Sequence, residues 1–172
     1  MSFTKIKPAE IGGNVFERVG QQWMLITAGD KSGFNSMTAS WGGMGILWGR
    51  NVAHCYIRPQ RHTRGFADSG EYFTLSFYPE KYRKLLDFSG IFGGQSGRDI
   101  DKVKASGFTP VISDCGAVYY AQAELVLVCR KLYSDDFKPE NYAVPELSGQ
   151  MYPSGDFHRF YIGEIIEVLE NK

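Results

Sequence analysis

The sequence predicts a mainly β protein, an antiparallel barrel with short helical insertions. Six or so strand-like segments follow one another at hairpin spacing. Only two or three short helical segments interrupt them, without the strand–helix alternation of a doubly wound parallel sheet. Aromatic residues make up 15% of the chain, which favours a β-rich core, a flat-ring ligand or a subunit interface. A length of 172 residues fits one domain over 1–172.

Strand signals combine β-branched or aromatic residues with flanking turn residues. They cover residues 22–28, 35–41, 52–58, 71–78, 117–133 and 157–169. The turn composition of 29–33 predicts a hairpin between the first two strands. Residues 42–50 are glycine-rich and break the strand pattern, and Gly163 is expected to bend the last strand. Residues 1–13, with Pro8, are expected to precede regular structure.

Short helices are predicted at 63–69, 80–88 and 99–107. Thr63 and Asp99 suit N-caps, Pro79 suits a first helical position, and Gly107 suits a helix end. Residues 90–97 are glycine-rich and irregular. Residues 135–153 contain three prolines and predict a loop with at most one helical turn.

Composition excludes several classes of function. The formal net charge is zero, with 19 basic and 19 acidic residues, so no basic surface favours nucleic acid or an anionic membrane. No run approaches the roughly 18 apolar residues of a membrane span, and the first residues lack an apolar signal core. We therefore expect a cytoplasmic protein. Cys55, Cys115 and Cys129 are far apart in sequence and suit free thiols rather than a metal site.

The strand at 35–41 mixes polar groups with a large ring. Period-2 geometry places Ser36, Thr38 and Ser40 on one face and Met37, Ala39 and Trp41 on the other. Buried hydroxyls and amides need partners, so Asn35 and these hydroxyls suit the edge of a polar heterocycle such as isoalloxazine. The alternative is a solvated strand face, with Trp41 and Trp48 in core packing or at a dimer interface.

A second polar cluster follows the third strand. Arg58, Arg61, His62 and Thr63 lie where that strand ends and a short helix begins, which suits phosphate binding by guanidinium groups and free helix N–H groups. A basic surface turn explains the cluster equally well. Further along the chain, Arg98 and Lys102 flank a helix start and suit a second anion contact or a capped surface helix.

His158, at the start of the last strand, suits a proton donor or a nicotinamide contact, or simple exposure. The chain lacks the Walker and Rossmann fingerprints, the nucleophile elbow and the His-Glu-x-x-His metal motif. Hydrolase and metalloenzyme functions are therefore disfavoured, and no metal ligands are predicted.

The order of the motifs is more specific than any one motif. The series is Asn-Ser-Met-Thr-Ala-Ser-Trp, Tyr-Ile-Arg-Pro-Gln-Arg-His-Thr, Gly-Glu-Tyr-Phe-Thr-Leu-Ser, Ser-Gly-Arg-Asp-Ile-Asp-Lys, Ala-Glu-Leu-Val-Leu-Val-Cys-Arg and Gly-Asp-Phe-His-Arg-Phe-Tyr-Ile-Gly-Glu-Ile. This series resembles the flavin reductase-like, FMN-binding split-barrel family, and within it the flavoredoxin-like branch. The resemblance covers a core from about residue 22 to 168.

The resemblance implies a split β-barrel homodimer with FMN near the subunit interface and reduction of the flavin by NADH or NADPH. It implies ring contacts from the 35–41 strand, chiefly Asn35, Met37, Thr38, Ser40 and Trp41. It assigns the phosphate to Arg58, Arg61, His62 and Thr63, with Arg98 and Lys102 assisting, and it places His158 at the nicotinamide. Phe157, between Asp156 and His158, departs from the family's Gly-Asp-His segment.

The hypothesis is an FMN-binding oxidoreductase that takes hydride from NAD(P)H and passes electrons onward, to a small acceptor or a redox protein. One alternative is an FMN-binding electron carrier with little NAD(P)H activity. Another is a split-barrel oxidase of the pyridoxamine phosphate oxidase type. A third is a ligand-free dimeric barrel. Fold analogy does not choose among them.

Overall fold

The computed structural model describes residues 3–171, and β-strands dominate that stretch. Its ten strands are β1 (Phe3–Ile6), β2 (Met24–Asp30), β3 (Gly33–Ala39), β4 (Gly42–Leu47), β5 (Arg50–Ile57), β6 (Tyr72–Phe77), β7 (Pro110–Ile112), β8 (Val118–Tyr120), β9 (Leu125–Asp136) and β10 (Arg159–Asn171). Its α-helices are α1 (Val15–Glu17), α2 (His62–Ser69), α3 (Arg83–Leu86), α4 (Lys102–Ser106) and α5 (Pro145–Met151). Turns of 3-10 helix cover Pro8–Glu10, Glu80–Tyr82 and Pro139–Asn141, and a π-helix covers Arg18–Gln22.

One large antiparallel sheet organises the fold. Its strands hydrogen-bond in the order β3-β2-β6-β9-β10-β5-β4, and β1 adds to β10. Strands β7 and β8 form a separate two-stranded antiparallel sheet. The predicted mainly β, antiparallel fold with short helical insertions is confirmed.

The sheet closes on itself through a very short connection. Strands β3 and β4 lie at opposite ends of the sheet order, yet only Ser40 and Trp41 separate them in the chain. The Cα atoms of Ala39 and Gly42 are therefore no more than roughly 11 Å apart. The sheet must curl until its two ends approach, although β3 and β4 share no ladder in the described residues. The result is a split β-barrel.

Strand β9 shows how both faces of the sheet are filled. Its first five residues are all buried. Because side chains alternate, Leu125, Leu127 and Cys129 join one apolar cluster, while Val126 and Val128 join another. The first cluster draws on strands around the barrel and forms its core. The second contains many aromatic residues and includes side chains from α3, α4 and the β7–β8 sheet.

Two strands contradict the sequence prediction. Strand β1 lies in the segment expected to precede regular structure, yet it pairs with β10 at the other end of the chain, a partner that no local pattern reveals. Residues 1 and 2 of that segment lie outside the described residues. Strand β4 lies where the glycines predict a break. A Cβ at Gly43 would lie 2.7 Å from the His54 ring, so glycine permits this close pairing with β5.

Three further predictions need correction. The single strand at 117–133 is in fact two, because a turn with a hydrogen bond from Ala123 N to Tyr120 O (3.1 Å) separates β8 from β9. The N-cap of α4 is Asp101 rather than Asp99, and its side chain accepts from Lys104 N. The loop predicted at 135–153 holds a 3-10 turn and the seven-residue helix α5.

Other local predictions are confirmed. Strands β2 and β3 form the expected hairpin, with Asp30 paired to Gly33. Helix α4 ends at Gly107, which adopts a left-handed conformation. The pairing of β10 with β9 shifts register between Ile162 and Gly163, where a Cβ on Gly163 would lie 2.7 Å from the Phe73 ring.

The three cysteines of the chain are free thiols. Cys55 and Cys129 are buried, and Cys115 is partly buried. Within residues 3–171, no helix combines the length and apolar character needed to cross a membrane. In the same stretch, no three His, Cys, Asp or Glu side chains cluster as metal ligands.

Candidate functional site

The candidate site lies along the free edge of β3, where the barrel is split. Two neighbouring cavities occur there and share Met37 and Arg61. The larger, which we call the Trp41 cavity, has a volume of about 300 Å³. Its lining residues are Met37, Thr38, Ala39, Ser40, Trp41, Tyr56, Arg58, Arg61, Phe88 and His158.

The smaller cavity, which we call the anion cavity, has a volume of about 150 Å³. Its lining residues are Asn35, Met37, Gln60, Arg61, His62, Thr63, Gly94, Gln95, Ser96, Gly97 and Lys102. This lining includes basic side chains and hydroxyls but no carboxylate. Such a donor set suits an anion rather than a cation.

Lys102 is the buried cation of the anion cavity. Its side chain is 7% exposed, and its Nζ donates to the carbonyl oxygens of Ser36 (2.9 Å) and Phe92 (3.2 Å). An ammonium group has three N–H donors, so one remains for a ligand. Burial, reinforced by the charge of Arg61, lowers the pKa of Lys102 to about 8.

Helix α2 begins at the wall of the anion cavity. Its N-cap is Arg61, with no side-chain cap, so the prediction that Thr63 caps this helix is wrong. The first N–H groups of a helix lack intrahelical partners and favour anions. Thr63 instead lies inside the first turn, fully buried, where its Oγ1 accepts from Asn35 Nδ2 at 2.7 Å.

Gly97 packs so closely against this pair that any larger residue would displace the Asn35 side chain. A Cβ at position 97 would lie 1.9 Å from Asn35 Oδ1 and 3.3 Å from His62 Cδ2. The Asn35 side chain is fixed by its hydrogen bond to Thr63. The glycine-rich segment at 94–97 therefore lies directly on β3 and α2, and it forms the outer wall of the anion cavity.

The structure separates the arginines that the sequence groups together. Arg61 donates from Nη1 to the Gly93 carbonyl oxygen at 2.6 Å and lines both cavities. Of the two cavities, Arg58 lines only the Trp41 cavity. Its guanidinium donates hydrogen bonds to Asp156 and to the Met151 carbonyl oxygen. Because those contacts occupy the Arg58 guanidinium away from the anion cavity, we do not retain Arg58 as a phosphate contact.

The outer basic residues lie near the anion cavity. His62 lines it, and burial together with the charges of Arg98 and Lys102 lowers the His62 pKa. Arg98 is exposed and donates to the Gln60 carbonyl oxygen at 3.1 Å. Arg98 therefore adds positive charge beside the cavity without lining it.

The hydroxyls of β3 do not share one role. The Ser36 hydroxyl bonds to Thr27 (2.8 Å) and Tyr120 (3.0 Å), so its side chain is satisfied within the protein and we do not retain it as a ring contact. Thr38 Oγ1 is buried at the Trp41 cavity and has no hydrogen-bond partner among residues 3–171. Ser40 follows the strand end and lines the same cavity.

His158 closes the Trp41 cavity from the β10 side. Its ring lies 5.1 Å from the Trp41 ring, centroid to centroid, and its Nδ1 lies 2.9 Å from the Tyr152 hydroxyl. Burial and the Arg58 charge lower the His158 pKa to about 4, against the opposing effect of Asp156. His158 is therefore a neutral imidazole near pH 7.

A wide aromatic groove of about 790 Å³ adjoins the Trp41 cavity and shares Trp41 and Tyr56 with it. The groove is lined mainly by rings and aliphatic side chains from residues 137–144, helix α5 and the start of β10, and the end of β9 adds two aspartates. A molecule in this groove would lie beside any ring held in the Trp41 cavity.

The lining residues that the sequence analysis missed include Tyr56 and Phe88 in the Trp41 cavity and Tyr152 in the aromatic groove. Tyr56 had a usable signal, since it stands two residues before Arg58 and so shares its strand face. Phe88 and Tyr152 belong to segments whose positions depend on tertiary contacts, and their local sequence holds no signal of the site.

Solved structures of three other proteins show the same fold. A flavoredoxin from Methanosarcina acetivorans aligns over 97% of this chain and 77% of its own, with 19% identity and a TM-score of 0.69. An FMN-binding protein from Thermus thermophilus with bound p-hydroxybenzaldehyde aligns over 97% and 81%, with 18% identity and a TM-score of 0.68. An NADH:FAD oxidoreductase from Streptomyces globisporus aligns over 87% and 75%, with 15% identity and a TM-score of 0.62.

Comparison with curated protein sequences found no match. The family model of the flavin reductase like domain matches residues 16–172, nearly the whole chain. This match agrees with the split barrel and with the order of motifs in the sequence. The chain therefore belongs to the flavin reductase-like, FMN-binding split-barrel family.

Proposed function

We propose that this protein is an FMN-dependent oxidoreductase that takes hydride from NADH or NADPH and passes electrons to an acceptor. The observation that carries the proposal is the pair of neighbouring cavities on the β3 edge. One is small and lined by basic side chains, and the other is larger and bordered by aromatic rings. A flavin mononucleotide has the same two parts, a terminal phosphate and a planar ring system.

The anion cavity suits the phosphate of FMN. The free N–H of Lys102, the first N–H groups of α2 and the Ser96 hydroxyl offer donors around one small space. Arg61, at the boundary of both cavities, adds a guanidinium. A cavity of about 150 Å³ holds one phosphate group, which favours FMN over a dinucleotide whose adenine half must extend away.

The Trp41 cavity suits the flavin ring. The buried Thr38 hydroxyl lacks a hydrogen-bond partner in the described part of the chain, as expected where a ligand supplies the missing hydrogen bond. Bound FMN would supply a ring that accepts a hydride. The protein's residues would anchor and orient that ring, and the groove beside it leaves one side open to a nicotinamide or an acceptor.

We also propose a homodimer with FMN near its interface. Ile46 and Trp48, at the β4–β5 turn, are 72% and 61% exposed. Exposed apolar side chains that are adjacent in space favour association. Sedimentation of the ligand-free protein tests this directly, with Trp48→Ser expected to raise the monomer fraction. A wild-type protein that sediments as a monomer at micromolar concentration refutes the dimer.

A second candidate is an FMN-binding electron carrier, which holds the cofactor but reacts poorly with NAD(P)H. Its support is the likeness to a flavoredoxin structure. The two candidates make different kinetic predictions. A reductase oxidises NADH or NADPH with multiple turnovers when FMN and an acceptor are supplied, whereas a carrier gives negligible turnover.

The first experiment is a visible absorbance spectrum of the purified protein, followed by anaerobic addition of NADH and then NADPH. Flavin bands that bleach on addition support the reductase. Bands that persist favour the carrier. If no bands appear even after FMN is added and free ligand is removed, the cofactor proposal fails.

A further inference from the structure

His158 has a hydrogen-bond partner outside the cofactor cavities, Tyr152, whose hydroxyl lies 2.9 Å from its Nδ1. Tyr152 follows helix α5 directly, in the segment that the sequence predicts as a loop. Its ring stacks on Phe157 with centroids 4.7 Å apart. Both partners of the hydrogen bond are buried side chains.

We propose that Tyr152 is a positioning residue: its hydroxyl donates to Nδ1 of His158 and holds the neutral imidazole with its proton on Nε2. Nε2 is then the ring nitrogen available to a ligand in the Trp41 cavity, and it acts as a hydrogen-bond donor. The proposal rests on the proposed function, since it states what His158 offers to a ligand in that cavity.

The direction of the hydrogen bond follows from the two groups. A phenol O–H is a better donor than a neutral imidazole N–H, and an imidazole nitrogen is a better acceptor than a phenol oxygen. The Arg58 guanidinium lies 5.0 Å from the Tyr152 ring centroid, which polarises the phenol toward donation. The competing arrangement has Tyr152 donating to the neighbouring Tyr142 and accepting from His158.

Both groups stay neutral over the working pH range. Burial is the first cause that lowers the pKa of His158 to about 4, and Arg58, Asp156 and Arg61 are the charges that act on it. Burial also raises the pKa of Tyr152 to about 12, with Tyr142, Arg58 and Asp156 as its neighbours. A neutral donor and a neutral acceptor therefore face each other between pH 5 and 9.

An Nε2–H donor recognises a ligand atom with a lone pair, such as a carbonyl oxygen. The carboxamide of a nicotinamide and the carbonyls of a flavin or quinone belong to this class. His158 would then orient a ligand rather than remove a proton from it. Because its charge does not change near neutral pH, the rate should not follow a histidine titration.

The test is a long-range ¹H–¹⁵N spectrum of the uniformly labelled, full-length, ligand-free protein. The chain has three histidines, and His158→Asn identifies the signals of His158. We expect the Nε2–H tautomer in the wild type. Tyr152→Phe keeps the ring packing on Phe157 but removes the donor, so its His158 signals should move toward a mixture of tautomers.

Tyr56→Phe is the matched control, because Tyr56 touches His158 only by a ring contact at 6.5 Å. It should leave the tautomer unchanged. An Nδ1–H tautomer in the wild type, or a pure Nε2–H tautomer in folded Tyr152→Phe, overturns the proposal. If Tyr152→Phe does not fold, the wild-type spectrum alone still decides the proton position. The sample contains no flavin and no NAD(P)H. The tautomer result therefore does not depend on whether the protein binds FMN.

Discussion

Lys102 provides the sharpest test of the anion cavity. Its Nζ donates to two carbonyl oxygens and keeps one N–H for a phosphate. Burial lowers its pKa to about 8, so the amine loses its charge at an accessible pH. We expect FMN affinity to fall above pH 8. Riboflavin has the same ring but no phosphate, so its affinity should not follow this titration.

The size of the effect follows from the protonated fraction. With a pKa of about 8, Lys102 is about 0.9 protonated at pH 7 and about 0.03 protonated at pH 9.5. If only the charged amine binds phosphate, the FMN association constant falls about 30-fold over that interval. A charge-assisted hydrogen bond contributes about 1.5–3 kcal/mol, so Lys102→Met should lower FMN affinity about 10- to 150-fold at pH 7.

The ligand-free protein should respond to pH in the opposite direction. The Lys102 pKa is below its ordinary value of 10.5 in the folded state, so between pH 8 and 10.5 the unfolded chain binds a proton that the folded chain lacks. Stability from this group therefore rises with pH across that window. General alkaline damage would lower both the FMN affinity and the free energy of unfolding. If FMN affinity falls with pH while the Lys102 contribution to the free energy of unfolding rises, the titrating group is Lys102.

The assay is quenching of FMN fluorescence, titrated at several pH values between 7 and 9.5. Lys104→Met is the matched control, since Lys104 lies on the same helix but is exposed. It should keep the wild-type affinity and pH dependence, and Lys102→Met should lose both. A wild-type FMN affinity that does not change with pH, or an equal loss in both variants, refutes the assignment of Lys102.

Three further changes test other parts of the site. Gly97→Ala places a Cβ 1.9 Å from Asn35 Oδ1 and should lower the free energy of unfolding by about 1–3 kcal/mol. Gly45→Ala should cost clearly less, because apart from its chain neighbours no described residue comes within 4 Å of the added Cβ. Equal costs contradict the packing argument. Thr38→Val should leave ligand-free stability unchanged or higher, because Oγ1 has no partner, while it weakens flavin binding; unchanged flavin affinity removes Thr38 from the ring contacts. Arg61→Ala should weaken FMN binding about tenfold or more but change the turnover of saturated enzyme much less, and an unchanged FMN affinity removes Arg61 from the phosphate site.

Most of the fold could be predicted because its signals are local. The hairpin of β2 and β3 has a turn sequence between two apolar runs, and the end of α4 has a glycine that adopts the left-handed conformation. The missed strands lack such signals. Strand β1 is stabilised by a partner at the far end of the chain, and β4 pairs closely with β5 because Gly42 and Gly43 carry no side chain.

The grouping of basic and hydroxyl side chains at the proposed phosphate site could be predicted in outline. A strand end followed by a helix start with arginine and hydroxyl residues is a local pattern, and Arg61, His62 and Thr63 all line the anion cavity. The pattern did not reveal that Arg58 pairs with Asp156, because that partner lies almost a hundred residues away. Nor did it reveal Tyr152, whose role depends on where α5 packs.

The proposed ring site lies on the predicted strand but draws on both of its faces, not on one. Alternation assigns Ser36 and Thr38 to one face, yet the Ser36 side chain bonds within the protein. The Ser36 carbonyl oxygen accepts a hydrogen bond from Lys102 Nζ, and Thr38 N donates to Phe92 O at 3.2 Å. These backbone groups do not bond to a neighbouring strand, because β3 is the edge of the sheet. The edge position of β3 depends on how all the other strands pair.

Residues 90–97, which pack on the free edge of β3, are rich in glycine because they form a tight turn. A Cβ at Gly93 would lie 2.3 Å from the Asp87 carbonyl oxygen, and one at Gly94 would lie 2.8 Å from the backbone of Ser89. The turn that brings Phe92 O onto β3 is therefore too tight for larger residues. Because the same carbonyl accepts from Lys102, backbone geometry at the edge fixes the position of the buried cation. Substitutions in this segment should change anion affinity even where the altered residue touches no ligand.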